Sequence, residues 1–481
     1  MINFNILNDN ELNEIIESGY RILENIGVDV FCEKSIKIME KAGCIIDGSR
    51  VKIPRKVVES ALETVPSIFN VYDRNGNVAM ELGERNSYYG SGPTCPNYMD
   101  PYTGVRRTAT KEDAKTSAIV ADYLKNIDYV MSLCLVVDKE RGTEDVNEVD
   151  ALIRNTSKPV ASWAYDAENL KGIIDLCAAA KGSLEEFQKE PFLIIYSEPT
   201  TPLQHTKDAL EKVIVLAENS VPCIYTPGMI MGAAAPVTIA GAMSMGIAEC
   251  LTGLVVHQNV NPGAPFIGGC AGSPMDMKTT NPPYGSPENI LIHGASSEIW
   301  RKLGVPSFGL AGATDSKTVD AQAGFEAAFS VFISAACGGN LIHDVGFTDF
   351  GMTGSPMQLV LGNEIISHSN RLRRGIDVSE NHLAYEVIEE VGPGGNFLQN
   401  PHTFQNFRKE QWFPEISERR GYGEWEADGK KTMDQVAMER VQYILENHQP
   451  EKLSDEILAK LDKVLEREEE RINSNNVTAA I

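Results

Sequence analysis

Between positions 88 and 374 the chain alternates without interruption between short apolar runs and longer stretches of helical spacing. The strand-like runs fall at 88–91, 130–137, 159–164, 192–197, 221–226, 265–269, 307–311 and 340–345. Helix-period stretches follow at 111–124, 145–155, 166–179, 207–218, 237–256, 287–303, 319–337 and 356–374. Eight strand-then-helix units over roughly 285 residues match the size of a (β/α)8 TIM barrel. A doubly wound sheet, the main rival, seldom needs eight consecutive units. The expectation is therefore an α/β chain with the barrel at 86–374, an N-terminal extension at 1–85 and a C-terminal extension at 375–481 packing on the barrel. In such folds chemistry is done where strands end, and polar residues gather at those points here, as in the loop at 312–318 and at His343-Asp344.

The extensions read differently. Helical spacing at 10–25, 32–42 and 54–65 and a strand-like run at 67–73 make up the first. The second starts loop-rich, with a Gly-Pro-Gly-Gly turn at 392–395 and aromatics such as Phe397, Phe404 and Phe407, then turns helical from about 432. Its aromatic part suits packing on the barrel or on a second subunit.

A net charge of −24 argues against nucleic-acid or anionic-membrane partners. No charge-free apolar run reaches the ~18 residues of a membrane helix, and the N-terminus lacks the basic-then-apolar pattern of a signal peptide. The nine cysteines are scattered without a CxxC pair, which points to buried thiols in a reducing, cytoplasmic compartment. HExxH, GxSxG and EF-hand patterns are absent, and no protein-bound metal is expected.

Six segments carry a resemblance: 99–114 (MDPYTGVRRTATKEDA), 125–132 (KNIDYVMS), 273–288 (SPMDMKTTNPPYGSPE), 313–327 (ATDSKTVDAQAGFEA), 371–398 and 402–419. In that order, and together, they resemble the trimethylamine methyltransferase family, in particular its members without pyrrolysine, and among those the glycine betaine methyltransferases. The resemblance implies a barrel enzyme that takes a methyl group from a quaternary amine and passes it to the Co(I) cobalamin of a separate corrinoid protein. Glycine betaine, giving dimethylglycine, is the substrate it points to. Proline betaine and carnitine are the close alternatives. A non-catalytic betaine- or corrinoid-binding barrel, and an unrelated barrel enzyme acting on small acids, are alternatives of another class.

Under that resemblance no general acid is expected among the side chains, because a quaternary ammonium leaves as a neutral amine. The site needs aromatic faces for a cation without N–H groups, and donors for its carboxylate. Tyr98, Trp163, Tyr196 and Phe347 lie at or beyond presumed strand ends and are the expected cage. Any one such aromatic is, about two times in three, simply core. His343, Lys317 and Gln322 are the expected donors, with Asp344, Glu198 and Asp276 as further carboxylates that either complement the cation or cap helices. Arg106, Arg107, Arg371, Arg373 and Arg374 read equally as solvated surface or as contacts for an acidic corrinoid protein.

Overall fold

Seven of the apolar runs form one parallel sheet in this computed structural model, which describes residues 1–479, with side chains to 474. In chain order they are β1 (Tyr88–Ser91), β2 (Val160–Trp163), β3 (Leu193–Ser197), β4 (Cys223–Tyr225), β5 (Phe266–Gly269), β6 (Ser307–Leu310) and β7 (Leu341–Val345). Neighbours run β1-β7-β6-β5-β4-β3-β2, every pair parallel. Helices Ala167–Lys181, Lys207–Asn219, Ile239–Val260, Pro287–Lys302, Ala321–Ala336 and Pro356–Arg374 follow β2 to β7. Between the two edge strands lie Tyr129, bridged to Gly90, and Val130, bridged to Val160.

The strand expected at 130–137 is corrected by this arrangement to those isolated bridges. Leu133 takes a left-handed backbone conformation (φ 63°). From there the main chain turns to the segment after β1, where Leu133 N donates to Gly92 O (2.7 Å) and Leu135 N to Cys95 O (2.8 Å). Leu133, Cys134 and Val136 are apolar because they are buried in that loop.

The sheet is concave. Ala161, Ile194, Ile224, Ile267, Phe308 and Leu341, from β2 to β7, meet one another and Tyr129 and Met131 in an inner cluster. A hairpin of Ile68–Tyr72 and Val78–Gly83 adds Val71, Met80 and Leu82 to the same cluster. It enters at the starting ends of the strands: Tyr72 N donates to Pro191 O (3.2 Å), just before β3, and Asn340 Nδ2, just before β7, donates to Gly83 O (3.0 Å). The last part of the 1–85 segment is thus a plug for the sheet's interior. The helices ahead of it (Asp9–Arg21, Glu33–Ala42, Arg55–Thr64) lie on Ile239–Val260. That helix is long and apolar enough to cross a membrane, yet 83% of its apolar window is buried inside the protein, as a core helix. Its one acidic side chain, Glu249, accepts from Leu203 N (2.5 Å) and Thr201 Oγ1 (3.1 Å), and burial pushes its pKa up to about 7.

At the other end of the chain, helices Met433–Asn447 and Asp455–Ala479 return to the body. His448 Nε2 pairs with Asp122 (2.7 Å) and Arg154 with Asp462 (2.8 Å). Glu468 lies so close to Gly172 that a Cβ there would be 2.6 Å from its Oε2. Residues 376–410 instead leave the body as an excursion whose three short helices, Glu380–Leu383, Tyr385–Val391 and Pro401–Glu410, bury no side chain. Arg371 holds both ends, donating from Nη1 to Gly375 O (3.2 Å) and from Nε to Glu410 O (2.9 Å). All nine cysteines are buried and free, as their placement in apolar runs suggests.

Candidate active site at the strand ends

Side chains two apart on a strand share a face, so the inner cluster continues upward as a second tier. Two residues beyond Ala161 is Trp163, beyond Ile194 is Tyr196 and then Glu198, and beyond Leu341 is His343. Part of this tier encloses a cavity of about 210 Å³ lined by Pro93, Thr94, Met131, Trp163, Ala164, Tyr196, Ser197, Glu198 and Lys212.

Three rings form a continuous aromatic wall. Phe308 stacks on His343 with centroids 4.1 Å apart and planes at 23°, and lies 6.0 Å from Tyr196. Tyr196 donates its hydroxyl hydrogen bond to Glu198, whose side chain is otherwise exposed. A second carboxylate, Asp344, is buried at the end of β7 in a left-handed conformation (φ 75°). Its Oδ1 comes 2.5 Å from His343 Nδ1, but the two atoms are not aligned for a hydrogen bond and both are otherwise unpartnered. Behind burial, which is the larger cause, the Asp344 charge holds the hydroxyls of Tyr129 and Tyr284 above their ordinary pKa.

Glycine makes room for the arrangement. A Cβ on Gly92 would lie 2.1 Å from Phe347 Cε1 and 2.7 Å from Asp344 Oδ1. A Cβ on Gly351 would lie 3.1 Å from Tyr284 and 3.5 Å from Phe347, so these two rings border one another's space. The support beneath is polar. Trp163 Nε1 donates to Glu148 Oε2 (3.2 Å), and Ser162 Oγ lies 3.5 Å from Oε1. Burial pushes the Glu148 pKa up to about 8, so the carboxyl is largely protonated at neutral pH while it positions the indole. Tyr284 is fixed through a relay: its backbone N donates to Asp315 Oδ1 (2.7 Å), and Asp315 N donates to Glu326 Oε2 (2.8 Å).

Of the seven expected residues Trp163 and Tyr196 line the cavity, His343 joins them through its stack on Phe308, Phe347 is buried beside Gly92, and the other three lie elsewhere. Tyr98 is fully buried in a small sheet of Asn97–Met99 with Thr353–Gly354 and Arg106–Thr108, its hydroxyl bonded to Ser117 Oγ (3.3 Å). It is a packing residue. Lys317 is exposed, donates to Asp315 O (2.7 Å) and lies 3.5 Å from Asp349. Gln322 donates to Glu326 Oε1 (2.9 Å). Both serve the loop after β6. Asp276 caps its own turn, accepting from Lys278 N and Thr279 Oγ1 (2.9 Å each). Arg107 pairs with Asp113 (2.6 Å), Arg106 with Thr353 (2.9 Å), and Arg371 and Arg374 with Glu410 (3.5 Å each), while Arg373 is buried; Arg106, Arg107 and Arg374 stay partly exposed. Three residues beyond those expected stand around them: Lys212 lines the cavity, Glu148 holds Trp163 and Tyr284 borders Phe347. Tyr284 sits in a loop without periodicity, and Glu148 in an acidic helix (EDVNEVDALIRN) that reads as solvent-facing. Among the described residues no group of three His, Cys, Asp or Glu side chains is placed to hold a metal ion.

Residues 1–473 match the family model for trimethylamine methyltransferase. The chain belongs to the trimethylamine methyltransferase family. It is 31% identical over 460 residues to glycine betaine methyltransferase of Desulfitobacterium hafniense strain Y51, covering 95% of this chain and 96% of that one. It is 33% identical over 466 residues to trimethylamine methyltransferase MttB of Methanosarcina thermophila, again covering 95% and 96%. Among solved structures, the hydroxylamine complex of MtmB superposes with a TM-score of 0.52 at 13% identity, over 97% of this chain and 88% of that one. At that identity the likeness concerns the fold, a mixed α/β architecture around a parallel sheet.

Proposed function

We propose that this methyltransferase demethylates a quaternary amine, glycine betaine in particular, and delivers the methyl group to Co(I) cobalamin carried by a corrinoid protein. The observation that carries the reading is the Tyr196–Phe308–His343 wall standing beside the carboxylates Asp344 and Glu198. A quaternary ammonium offers no N–H group, so it is held by aromatic faces and by charge rather than by hydrogen bonds. Lys212 is the one cation among the cavity-lining residues, and it supports a zwitterion whose carboxylate lies toward that side. Its ammonium is anchored by donation to Ala164 O (2.7 Å).

Cobalamin in this reading supplies the nucleophile that attacks the methyl carbon in line. The chain's own residues hold the cation against the wall, turn one methyl outward and neutralise the charge until it is lost with the methyl group. Dimethylglycine then leaves as a neutral-nitrogen amine, so no side chain has to deliver a proton. Glu198 is exposed and Tyr196 and Trp163 are half-buried, which leaves the methyl approachable from outside. We read the sheet as a closed (β/α)8 barrel, supported by the bridges through Tyr129 and Val130 that reach both edge strands.

The test is methylation of a reduced corrinoid protein, followed by absorbance, with glycine betaine, proline betaine, carnitine and trimethylamine as donors. The expected result is methyl-cobalamin with glycine betaine, and dimethylglycine in equal amount. Activity confined to another donor moves the substrate, and betaine binding by calorimetry without transfer to any acceptor overturns the reading as an enzyme.

A further inference from the structure

At the starting ends of the strands, opposite the mouth, the protein gathers positive charge that it does not neutralise. A cavity of about 540 Å³ opens there, with Asn5, Leu7, Arg85, Glu298, Arg301 and Lys302 in its wall. Arg85 lies just before β1, and Arg301 and Lys302 end the helix that precedes β6. The first residues of the chain cross the same end, with Ile2 N donating to Arg373 O (2.7 Å) and Phe4 N to Ala336 O (2.9 Å). Gly338 marks where two guanidinium groups converge: a Cβ there would lie 2.5 Å from Arg301 Nη1 and 3.5 Å from Arg85 Nη1. Burial, and behind it the Arg85 charge, lowers the Arg301 pKa from its ordinary value. A third guanidinium, Arg373, also feels the Arg85 charge. It is buried, its Nε has no partner and its Nη2 reaches Met1 Sδ (3.6 Å).

Helix ends account for part of this cluster. Arg85 Nη1 donates to Ala336 O (3.1 Å) and Arg301 Nη1 to Cys337 O (2.5 Å), at a helix C-terminus that favours cations. Arg85 Nη2 adds a bond to Asn5 Oδ1 (3.2 Å). A guanidinium has five N–H donors, so most remain unspent on both residues. The two carboxylates of the cavity wall are engaged elsewhere. Glu298 accepts from Ile6 N (2.7 Å) and Leu7 N (3.1 Å), and Asp9, which is exposed, lies 3.2 Å from Lys302.

We propose that this cavity binds the phosphoryl group of a small phosphate ester between Arg85 and Arg301, with Lys302 at its rim. Each guanidinium presents a fork of parallel N–H groups that matches two oxygens of one anion. A monocarboxylate fills one fork. A phosphoryl group brings three oxygens and nearly two negative charges at neutral pH, which is enough for both forks and the ammonium. The Lys302–Asp9 pair is solvent-exposed and therefore gives way at little cost. The cavity exceeds a bare phosphate, and Leu7 and Leu12 give it an apolar side where the organic part of the ester fits. In a chain of net charge −24, whose overall field repels anions, only a local excess of this kind can hold one.

The test is calorimetry and thermal unfolding of the full chain with inorganic phosphate and with AMP, each against chloride at equal ionic strength. Both probes are expected to bind and to raise the melting temperature by several degrees, since a ligand of the folded state alone stabilises it. Tighter binding of AMP assigns the site to an ester, and equal binding overturns the ester while keeping the phosphoryl site. Arg85→Gln should weaken phosphate binding by at least about tenfold, as loss of a charge-assisted fork implies. Lys302→Gln, at an exposed rim position that folding does not need, should weaken it about threefold. Circular dichroism checks that both variants are folded. No shift beyond that of chloride overturns the inference, and so does undiminished phosphate binding in either folded variant.

Discussion

The two ends of the same strands do opposite work. At their starting ends Ala161, Ile194, Ile224, Ile267 and Leu341 close on the hairpin's Val71, Met80 and Leu82. Two residues further along, the same faces carry Trp163, Tyr196 and His343, backed by Glu148, Glu198 and Asp344. A pleated strand changes its chemistry every second residue without changing its path, so one residue pair per strand is enough to pass from a sealed core to a charged, open pocket. The lower tier should answer to mutation through stability, the upper through binding and turnover.

The largest effect that would break this division is expected at the plug. Leu82→Asp puts an unpaired carboxylate into the sealed end, at a cost of at least ~3 kcal/mol, and should abolish soluble folded protein. An unchanged melting temperature would mean that the hairpin does not close the interior. Next comes Asp344→Asn, chosen because asparagine tolerates the left-handed backbone there. Methyl transfer should fall by at least about tenfold while the melting temperature moves only a few degrees, as befits removal of one charge facing a cation. Equal activity in the variant would remove Asp344 from the cation site.

Phe308 sharpens the comparison, since it belongs to the lower cluster and also stacks on His343. Phe308→Leu should register on both scales, weakening betaine binding about fivefold in calorimetry and costing ~1–2 kcal/mol in denaturant unfolding. A change on one scale only would assign the ring to one tier. The smallest effect is a pH dependence beneath Trp163. Burial raises the Glu148 pKa from 4.5 to about 8, so its contribution to stability is full below 4.5 and is lost as pH rises through 8. Glu148→Gln should flatten the fall in melting temperature across that window, and parallel curves for the two proteins would show that Glu148 does not titrate there.

What was readable in advance follows the same geometry. Trp163, Tyr196 and His343 were legible because a strand's alternation runs on to its last residue, and no other information is needed to aim them. Tyr98, Lys317 and Gln322 sit on segments whose direction is set by loops: the small sheet at 97–108 buries Tyr98, and the relay through Asp315 and Glu326 takes up the other two. Tyr284 is invisible for the complementary reason, being brought in by a backbone bond to Asp315 from a stretch with no period of its own. The run at 130–137 misleads because burial in a loop and burial in a sheet select the same side chains.

The hairpin at 68–83 precedes every strand of the sheet in the chain. A ribosome therefore delivers the stopper before the vessel, and the strands emerge to find the piece that their lower ends must close around already made. Trimming the chain from its front would remove that piece while leaving the strand ends intact in sequence, so the pocket they form rests on residues synthesised before any of those strands.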